Sequence, residues 1–281
     1  SPGITYGQSY TASFTTPASL TPGVHNLKSW ISDINGGGPD ANPANDTAKW
    51  RISILPGAAP AKNVLLEEYT GAWCGYCPRG GLALTQLCNS DPTVIGAAIH
   101  DNDAMSTTEG NVVDAVYPSG YPSGCIDRSY DVADGAYAID NSVWASYITT
   151  READVVPATV TLSAVSYNAS TRVISATVNA TFVGAVQNTF SLNCYAVENR
   201  VYGPLTDQTD NNWNNHSYYY GTSGSPFMGV GLTSGAWTTT VAGLMPTDYV
   251  HNHVVDKMMG TAYGDATVVP TTLVAAGTTF S

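Results

Sequence analysis

The chain of 281 residues is longer than one ordinary domain, and its 43% hydrophobic content is ample for packed cores. Only 11% of the residues are charged, and 22 acidic against 10 basic residues give a net charge of −12, which repels phosphate backbones and anionic lipid headgroups. The composition favours an exported, β-rich protein of two or three domains, binding no nucleic acid and carrying no membrane-spanning segment.

The amino-terminal part of the chain has short apolar and polar runs between turns rich in Pro, Gly and Asn. Strands in a meander are predicted at 8–15, 24–34 and 47–55. Three strands with alternating faces are too few to close a sandwich, so we expect a partial β module here. Leu-Thr-Pro-Gly-Val-His at 20–25 and Asp-Ala-Asn-Pro-Ala-Asn-Asp at 40–46 resemble the later strands of immunoglobulin-like CARDB adhesion modules.

A linker by composition, Pro-Gly-Ala-Ala-Pro at 56–60, precedes a segment in which strands alternate with helices. This alternation implies a mixed sheet with helices on its faces. The predicted elements are a strand at 63–69, a helix from about 74–89, a strand at 94–100, a helix opened by the capping box Ser106-Thr107-Thr108-Glu109, a strand at 123–128 and a helix near 138–153.

From residue 157 onward the β-type alternation returns, and a second β-sandwich is the economical interpretation. The polar, tyrosine-rich stretch at 206–224 is long for a connection within a sandwich, and such loops are more often functional than idle. The strands predicted in this part lie at 158–167, 172–182, 190–199, 235–242 and 249–259.

The strongest chemical signal is Trp73-Cys74-Gly75-Tyr76-Cys77, which follows an apolar strand directly and opens the next helix. This context separates a thioredoxin site from a chance pair of cysteines. The amino end of a helix stabilises negative charge, so Cys74 is the expected nucleophilic thiolate. The spacing lets Cys77 reach the sulfur of Cys74, which makes Cys77 the resolving thiol.

Further residues fit the same chemistry. Gly120-Tyr121-Pro122-Ser123-Gly124 precedes a predicted strand and resembles the thioredoxin loop whose proline faces the disulfide, so Tyr121-Pro122 is predicted to be cis. Glu68 lies where thioredoxins keep a buried acid, and strand alternation turns it toward the core behind the cysteines as a proton shuttle. Trp73 is expected to pack beside the disulfide, and Arg79 to add positive field near it.

Other interpretations of the cysteines stay open at this stage. Outside a cell, the Cys74-Cys77 pair is also compatible with a static disulfide. A zinc ribbon needs a second such pair, which the sequence lacks, so neither a metal nor another cofactor is expected. Cys88, Cys125 and Cys194 fit buried core thiols, with a Cys88-Cys125 bridge as the alternative.

Two histidines and two aspartates have both a structural and a ligand interpretation. His251 and His253 alternate along a predicted strand and would share a face, but no third ligand is evident, so the structural interpretation is preferred. Asp101 and Asp103 follow a predicted strand and fit calcium ligands, yet solvated turn acids are much commoner.

Over roughly residues 60–281, the chain resembles the 28-kilodalton outer membrane protein family of Bacteroidetes. The segments that carry the resemblance are Glu-Glu-Tyr-Thr-Gly-Ala-Trp-Cys-Gly-Tyr-Cys-Pro-Arg-Gly at 67–80, Gly120-Tyr121-Pro122 with Asp127-Arg128, Val197-Glu198-Asn199 with Tyr202-Gly203-Pro204, and His251-Asn252-His253-Val254-Val255 with Gly260. The resemblance implies a thioredoxin-like domain paired with a β-sandwich, a cell-surface or secreted location, and no settled activity. It also implies further strands after Ser281 and often a type IX secretion sorting domain, so we expect the chain to be truncated there.

The predicted fold class is a multidomain protein with an α/β thioredoxin-like domain flanked by two β-rich modules of immunoglobulin-like or β-sandwich type. The predicted domains are a partial immunoglobulin-like module at 1–56, the thioredoxin-like domain at 57–155 and a truncated β-sandwich at 156–281.

Two functions from different classes fit this architecture. The first is a secreted or cell-surface thiol–disulfide oxidoreductase acting on protein thiols and disulfides, in the oxidase or isomerase direction because no reducing system recharges a dithiol outside the cell. The second is a surface adhesion or structural protein that binds other surface proteins and uses a non-catalytic thioredoxin scaffold. The sequence leaves the substrate and the oligomeric state open.

Overall fold

The computed structural model describes residues 8–13, 15–31, 42, 44, 46–201 and 250–281. These residues form a mixed α/β structure in which sheets dominate and helices are few. The strands are β1 (Gly23–Trp30), β2 (Thr47–Ile54), β3 (Val64–Thr70), β4 (Val94–His100), β5 (Ser123–Ile126), β6 (Ala138–Ile139), β7 (Ala158–Asn168), β8 (Val173–Phe182), β9 (Cys194–Glu198), β10 (Val254–Met259) and β11 (Thr279–Phe280). The helices are α1 (Cys77–Ser90), α2 (Thr108–Asp114) and α3 (Trp144–Glu152).

A mixed sheet of six strands, in the order β6-β5-β3-β4-β10-β9, is the largest sheet of the described residues. β3 pairs in parallel with β4, from Val64 opposite Val94 to Thr70 opposite His100. On its other side β3 pairs antiparallel with β5. A strand covered on both faces needs buried side chains in succession, and six of the seven residues are buried in β3 and in β4.

Alternation along β3 sends its side chains into two separate cores. Leu66 packs with Leu84 of α1 and Trp144 of α3. Tyr69 points to the opposite face and packs with Val113 of α2. The sheet therefore has α1 and α3 on one face and α2 on the other, the arrangement that the alternation of strands and helices predicted.

The two strands at one edge of this sheet come from the segment that was predicted to form a separate β-sandwich. β10 pairs in parallel with β4 through Val254 and Ala98, and β9 pairs antiparallel with β10. The central sheet thus contains strands from both sides of the predicted boundary at residues 155 and 156. The division into three domains stays a prediction.

Two smaller sheets lie outside the central one. β1 and β2 pair antiparallel, with Leu27 opposite Trp50 and both side chains exposed. β11, β8 and β7 form a three-stranded antiparallel sheet in which Leu162 is exposed and Phe182 is buried. Both flanking segments are therefore β-rich as expected, while their immunoglobulin-like or sandwich type stays a prediction.

Two predicted elements are wrong in part. The described residues of the first predicted strand, 8–13 and 15, join no sheet, and strand structure requires a paired backbone. The helix predicted near 138–153 begins only at Trp144. Ala138 and Ile139, the first two residues of the predicted helix, instead pair with Cys125 and Gly124 of β5 and form β6.

The predicted strand at 235–242, the polar stretch at 206–224 and the Tyr202-Gly203-Pro204 segment lie outside the described residues. In the part of the chain that the structure describes, no helix has both the length and the apolar content that crossing a bilayer requires.

A buried ion pair joins the central strand to the carboxy-terminal segment. Arg128 follows β5 and donates from Nε and Nη2 to the two carboxylate oxygens of Glu67, at 2.6 and 2.7 Å. Tyr195 of β9 also donates to Glu67, at 2.8 Å, and Arg128 donates to the carbonyl oxygen of Ala262, at 2.9 Å. A buried charge is tolerated when it is paired and hydrogen-bonded in this way. Through these contacts, Glu67 and Arg128 link β3 to β9 and to the segment after β10.

We expect Arg128→Lys to lower the free energy of unfolding by about 2–3 kcal/mol, because lysine keeps the charge but loses the paired donation to Glu67. Arg172→Lys is the matched control: both arginines have positive φ, 48° and 58°, but Arg172 is exposed in the turn between β7 and β8. The control is expected to change stability by less than about 0.5 kcal/mol. Urea unfolding measures both, and equal effects would show that the ion pair does not hold these elements together.

Candidate functional site

The two cysteines of the motif are bonded to each other. Cys74 and Cys77 form a disulfide with an S–S distance of 2.15 Å and Cα atoms 5.4 Å apart. Helix α1 begins at Cys77, so the predicted helix start at Cys74 is wrong by three residues. The preceding residues form turns instead, with the Cys74 amide donating to the Gly71 carbonyl at 3.0 Å and the Cys77 amide to the Cys74 carbonyl at 3.3 Å. Pro78 is tolerated because it lies in the first turn of α1, where its missing N–H would have no helical acceptor.

Little of the disulfide is exposed, since Cys74 and Cys77 retain 5% and 1% of their accessible surface. Trp73, in the same loop, is 37% exposed. Its Nε1 donates to the Asp101 carbonyl at 2.8 Å, and its ring meets Tyr121 edge to face with centroids 5.3 Å apart. Trp73 therefore ties the cysteine loop to the loop after β4 and to the residue before Pro122.

The Tyr121-Pro122 peptide bond is cis, which confirms the prediction. Pro122 is buried and lies against α1, because a Cβ atom placed on Gly80 would be 2.7 Å from Pro122 Cβ and would also collide with Glu68 Oε1. Gly80 follows Cys77 by three residues, which is one helical turn. The start of α1, the proline loop and the buried acid thus meet around Gly80.

Glu68 is buried on the face of the sheet that carries α1, as alternation predicted, and its Oε1 has no hydrogen-bond partner among the described residues. Burial raises the pKa of Glu68 well above its ordinary value of 4.5. A carboxyl group in this state keeps its proton to higher pH and can act as an acid. Its neighbour Glu67 points to the opposite face, where Arg128 compensates its charge.

Arg79 does not direct an unpaired charge at the cysteines. Its Nη2 donates to Asp140 Oδ2 at 2.8 Å, and both side chains are partly exposed. Asp140 neutralises much of the positive field that the sequence led us to expect from Arg79, and solvent screens the rest.

A second polar cluster lies beside the cysteine loop. Asp103, expected as a solvated turn acid, has a fully buried side chain. Its Oδ2 accepts from the Ala72 amide at 2.7 Å and from His100 Nδ1 at 2.7 Å, and its Oδ1 accepts from the Met105 amide at 2.8 Å. His251 meets His100 edge to face with ring centroids 5.2 Å apart. This role of Asp103 was not predicted; the signal available in the sequence was a histidine and an aspartate three residues apart at the end of a buried strand.

The other cysteines are free thiols. Cys88 lies on α1 and packs against the core on that face of the sheet, whereas Cys125 of β5 belongs to the core on the opposite face. A Cys88-Cys125 bridge is therefore wrong, because the sheet separates the two sulfur atoms. Burial raises the pKa of the Cys125 thiol to about 12, as expected for an inert core residue.

His251 and His253 precede β10, which begins only at Val254, so neither lies on the strand that was predicted to carry them. His251 lies against His100, while His253 Nδ1 lies beside Gly96, near Cys88 Sγ. The φ angle of +60° at His253 breaks the alternation on which the prediction depended. Within the described ranges, no three His, Cys, Asp or Glu side chains are grouped in a way that would hold a metal ion.

No protein-family model and no curated protein matches this chain. Among solved structures, HBP35 of Porphyromonas gingivalis is similar at 17% sequence identity with a TM-score of 0.44, over 79% of this chain and 82% of that chain. Protein AGR_C_4864 from Agrobacterium tumefaciens is similar at 12% identity with a TM-score of 0.38, over 79% of each chain.

We expect Gly80→Ala to lower the free energy of unfolding by about 1–2 kcal/mol, because overpacking against Pro122 outweighs the better helix propensity of alanine. Gly120→Ala is the matched control, since its new Cβ would meet no atom within 4 Å. Urea unfolding of the oxidised protein measures both variants. If Gly80→Ala were as stable as the control, Glu68 and Pro122 would not be packed against α1.

We expect Glu68→Gln to stabilise the protein at pH 7 and to have a much smaller effect near pH 4. The raised pKa of Glu68 means that the folded protein holds a proton that the unfolded chain releases above its ordinary value of 4.5. Wild-type stability therefore falls as the pH rises from about 4.5 toward the folded-state pKa, and glutamine removes that loss. Urea unfolding across this pH range, with the exposed Glu198→Gln as control, tests the sign; a loss of stability at pH 7 would contradict it.

Proposed function

We propose that this chain is a thiol–disulfide oxidoreductase built on a thioredoxin-like domain at residues 57–155, acting in the oxidase or isomerase direction. The observation that supports it most is the meeting of Glu68 and Pro122 at Gly80, one helical turn after Cys77 of a formed disulfide. A disulfide at the amino end of a helix, with a buried acid of raised pKa packed against the first turns of that helix, has the groups that thiol exchange requires.

In the oxidase direction, a substrate thiolate attacks Cys74 Sγ, the Cys74–Cys77 bond breaks, and Cys77 leaves as a thiolate. Glu68 supplies the proton that neutralises this thiolate. A second substrate thiolate then attacks the substrate sulfur of the mixed disulfide and releases Cys74, which takes a proton from solvent. Two electrons pass from the substrate dithiol to the cysteine pair, and the substrate leaves as a disulfide. A second disulfide compound accepts those electrons when the protein is recharged.

Trp73 and Pro122 have positioning roles in this proposal. The partly exposed Trp73 ring and the Tyr121 ring against it form a wall next to the cysteine loop, where a substrate chain would lie. The Pro122 loop offers backbone contact to that chain. The partners are accordingly protein thiols and disulfides.

A second candidate function is that of a surface adhesion or structural protein with a static disulfide. The observation that favours it is the low exposure of Cys74, 5%, because an attacking thiolate needs a path to the sulfur. The exposed Leu27 and Trp50 on the β1–β2 sheet would then offer apolar surface to other surface proteins.

We infer a location at the bacterial cell surface or in the medium. The support is the low charged content, 11%, and the resemblance of the segments at 67–80 and 251–255 to a family of outer membrane proteins. Type IX secretion and outer-membrane association belong to the same proposal.

The decisive experiment measures insulin reduction and the redox equilibrium of Cys74 and Cys77 with glutathione. Wild type is expected to turn over, Cys74→Ser to lose all activity, and Cys77→Ser to accumulate a mixed disulfide, because the resolving thiol is gone. Cys194→Ser, which removes a free thiol outside the motif, should keep wild-type activity. A wild-type potential below about −300 mV without turnover would instead support the static disulfide.

A further inference from the structure

The cysteine loop is held by the loop that follows β4. Residues 71–76 join β3 to α1 through turns, and β3 and β4 end side by side, with Thr70 opposite His100. Hydrogen bonds among the described residues connect the end of β3 and the cysteine loop to the second loop, and they include these three: the Asp101 amide to the Thr70 carbonyl at 2.9 Å, the Trp73 indole to the Asp101 carbonyl at 2.8 Å, and the Ala72 amide to Asp103 Oδ2 at 2.7 Å. Only the last of these three uses the side chain of the second loop.

The Asp103 carboxylate is a hydrogen-bond acceptor for several neighbouring groups. Three donors converge on its two carboxylate oxygens, and the side chain has no exposed surface. Burial alone would raise the pKa of Asp103, but His100 and the amide donors of Ala72 and Met105 lower it below its ordinary value of 3.8. The carboxylate is therefore ionised in the folded protein, and a hydrogen bond to a charged acceptor is about twice as strong as a neutral one.

We propose that Asp103 is a positioning residue for the Cys74–Cys77 pair. His100 orients the Asp103 carboxylate, and this carboxylate fixes the Cys74 loop through the Ala72 amide. This inference rests on the proposed thiol–disulfide exchange. When the disulfide is reduced, the loop loses its covalent restraint, and the bond from Ala72 keeps Cys74 close to Cys77. Holding two thiols together raises their effective concentration and so favours the disulfide.

The test is the equilibrium of each full-length variant with glutathione. Asp103→Ala removes the acceptor and is expected to lower the equilibrium constant for disulfide formation about tenfold, which corresponds to about 30 mV. Asp103→Asn removes the charge but retains an oxygen that can accept from Ala72, so a change of less than about threefold is expected. Asp101→Ala truncates the neighbouring acid and keeps its backbone carbonyl, and it is expected to match wild type.

Two results would overturn the proposal. An unchanged equilibrium constant in Asp103→Ala would show that the Ala72 bond does not position the cysteines. An equal fall in Asp103→Asn and Asp103→Ala would show that the charge, and not the hydrogen bond, sets the equilibrium. A purely structural role would lower the unfolding free energy of Asp103→Ala without moving its equilibrium with glutathione.

A titration of the wild-type protein keeps the proposal testable if Asp103→Ala does not fold. The NMR shift of the Ala72 amide proton is expected to follow the ionisation of Asp103, with a midpoint below the ordinary value of 3.8. Among the described residues, the other titratable groups near this pair are His100, which contacts Asp103, His251, which meets His100, and Asp101. Burial and the charge of Asp103 raise the pKa of Asp101, so the titration midpoint of Asp101 lies above 3.8 and is distinguishable from that of Asp103.

An Ala72 amide that does not follow the Asp103 titration would overturn the proposal. The titration also separates this inference from the proposed function. A wild-type disulfide that does not exchange with glutathione rejects the oxidoreductase, whereas the Ala72 shift reports on the contact with Asp103 independently of any exchange.

Discussion

The parallel pairing of β3 with β4 is the constraint on which the candidate site depends. Parallel strands end at the same edge of a sheet, so the loops that follow Thr70 and His100 begin next to each other. The first loop carries the cysteines, and the second carries Asp101 and Asp103. Because the strands hold the loop starts in register, a few hydrogen bonds suffice to fix a loop without regular secondary structure.

Two adjacent carboxyl groups on β3 show how the sheet divides electrostatic environments. Alternation turns Glu67 toward Arg128 and Tyr195, where its charge is fully compensated. It turns Glu68 toward α1 and Pro122, where burial raises the pKa and no partner among the described residues offsets the cost. The same residue type is therefore an ion-paired carboxylate on one face and a buried acid with a raised pKa on the other, because among the described residues only Glu67 has a cationic partner.

The disulfide is largely buried, and the two candidate functions differ in whether an attacking thiolate must reach it. Exchange requires that Trp73, whose ring is partly exposed, and the Pro122 loop leave a path to Cys74. A static bridge requires no such path and would only brace the start of α1. A buried acid with a raised pKa lowers stability at neutral pH, a cost that a static bridge by itself does not require.

Local patterns in the sequence were enough to identify the cysteine pair, the cis bond before Pro122, the inward direction of Glu68 and most strand and helix positions. These features depend on spacing, on the chemistry of neighbouring residues and on a period of two along a strand, all of which are read from adjacent positions. The start of α1 and the pairing of β6 were missed because turn hydrogen bonds and a short ladder overrode the local pattern.

The tertiary structure alone decided which distant residues meet. It placed β9 and β10 at the edge of the central sheet, closed the Glu67, Arg128 and Tyr195 network, and brought Asp103 to the Ala72 amide. Tyr195 is 128 residues from Glu67, and Asp103 is 31 residues from Ala72. Contacts at such separations depend on how strands pair and on which faces of a sheet become buried. A carboxylate in a turn has the same local sequence pattern whether its side chain lies in solvent or in a core, so the sequence alone does not distinguish the two.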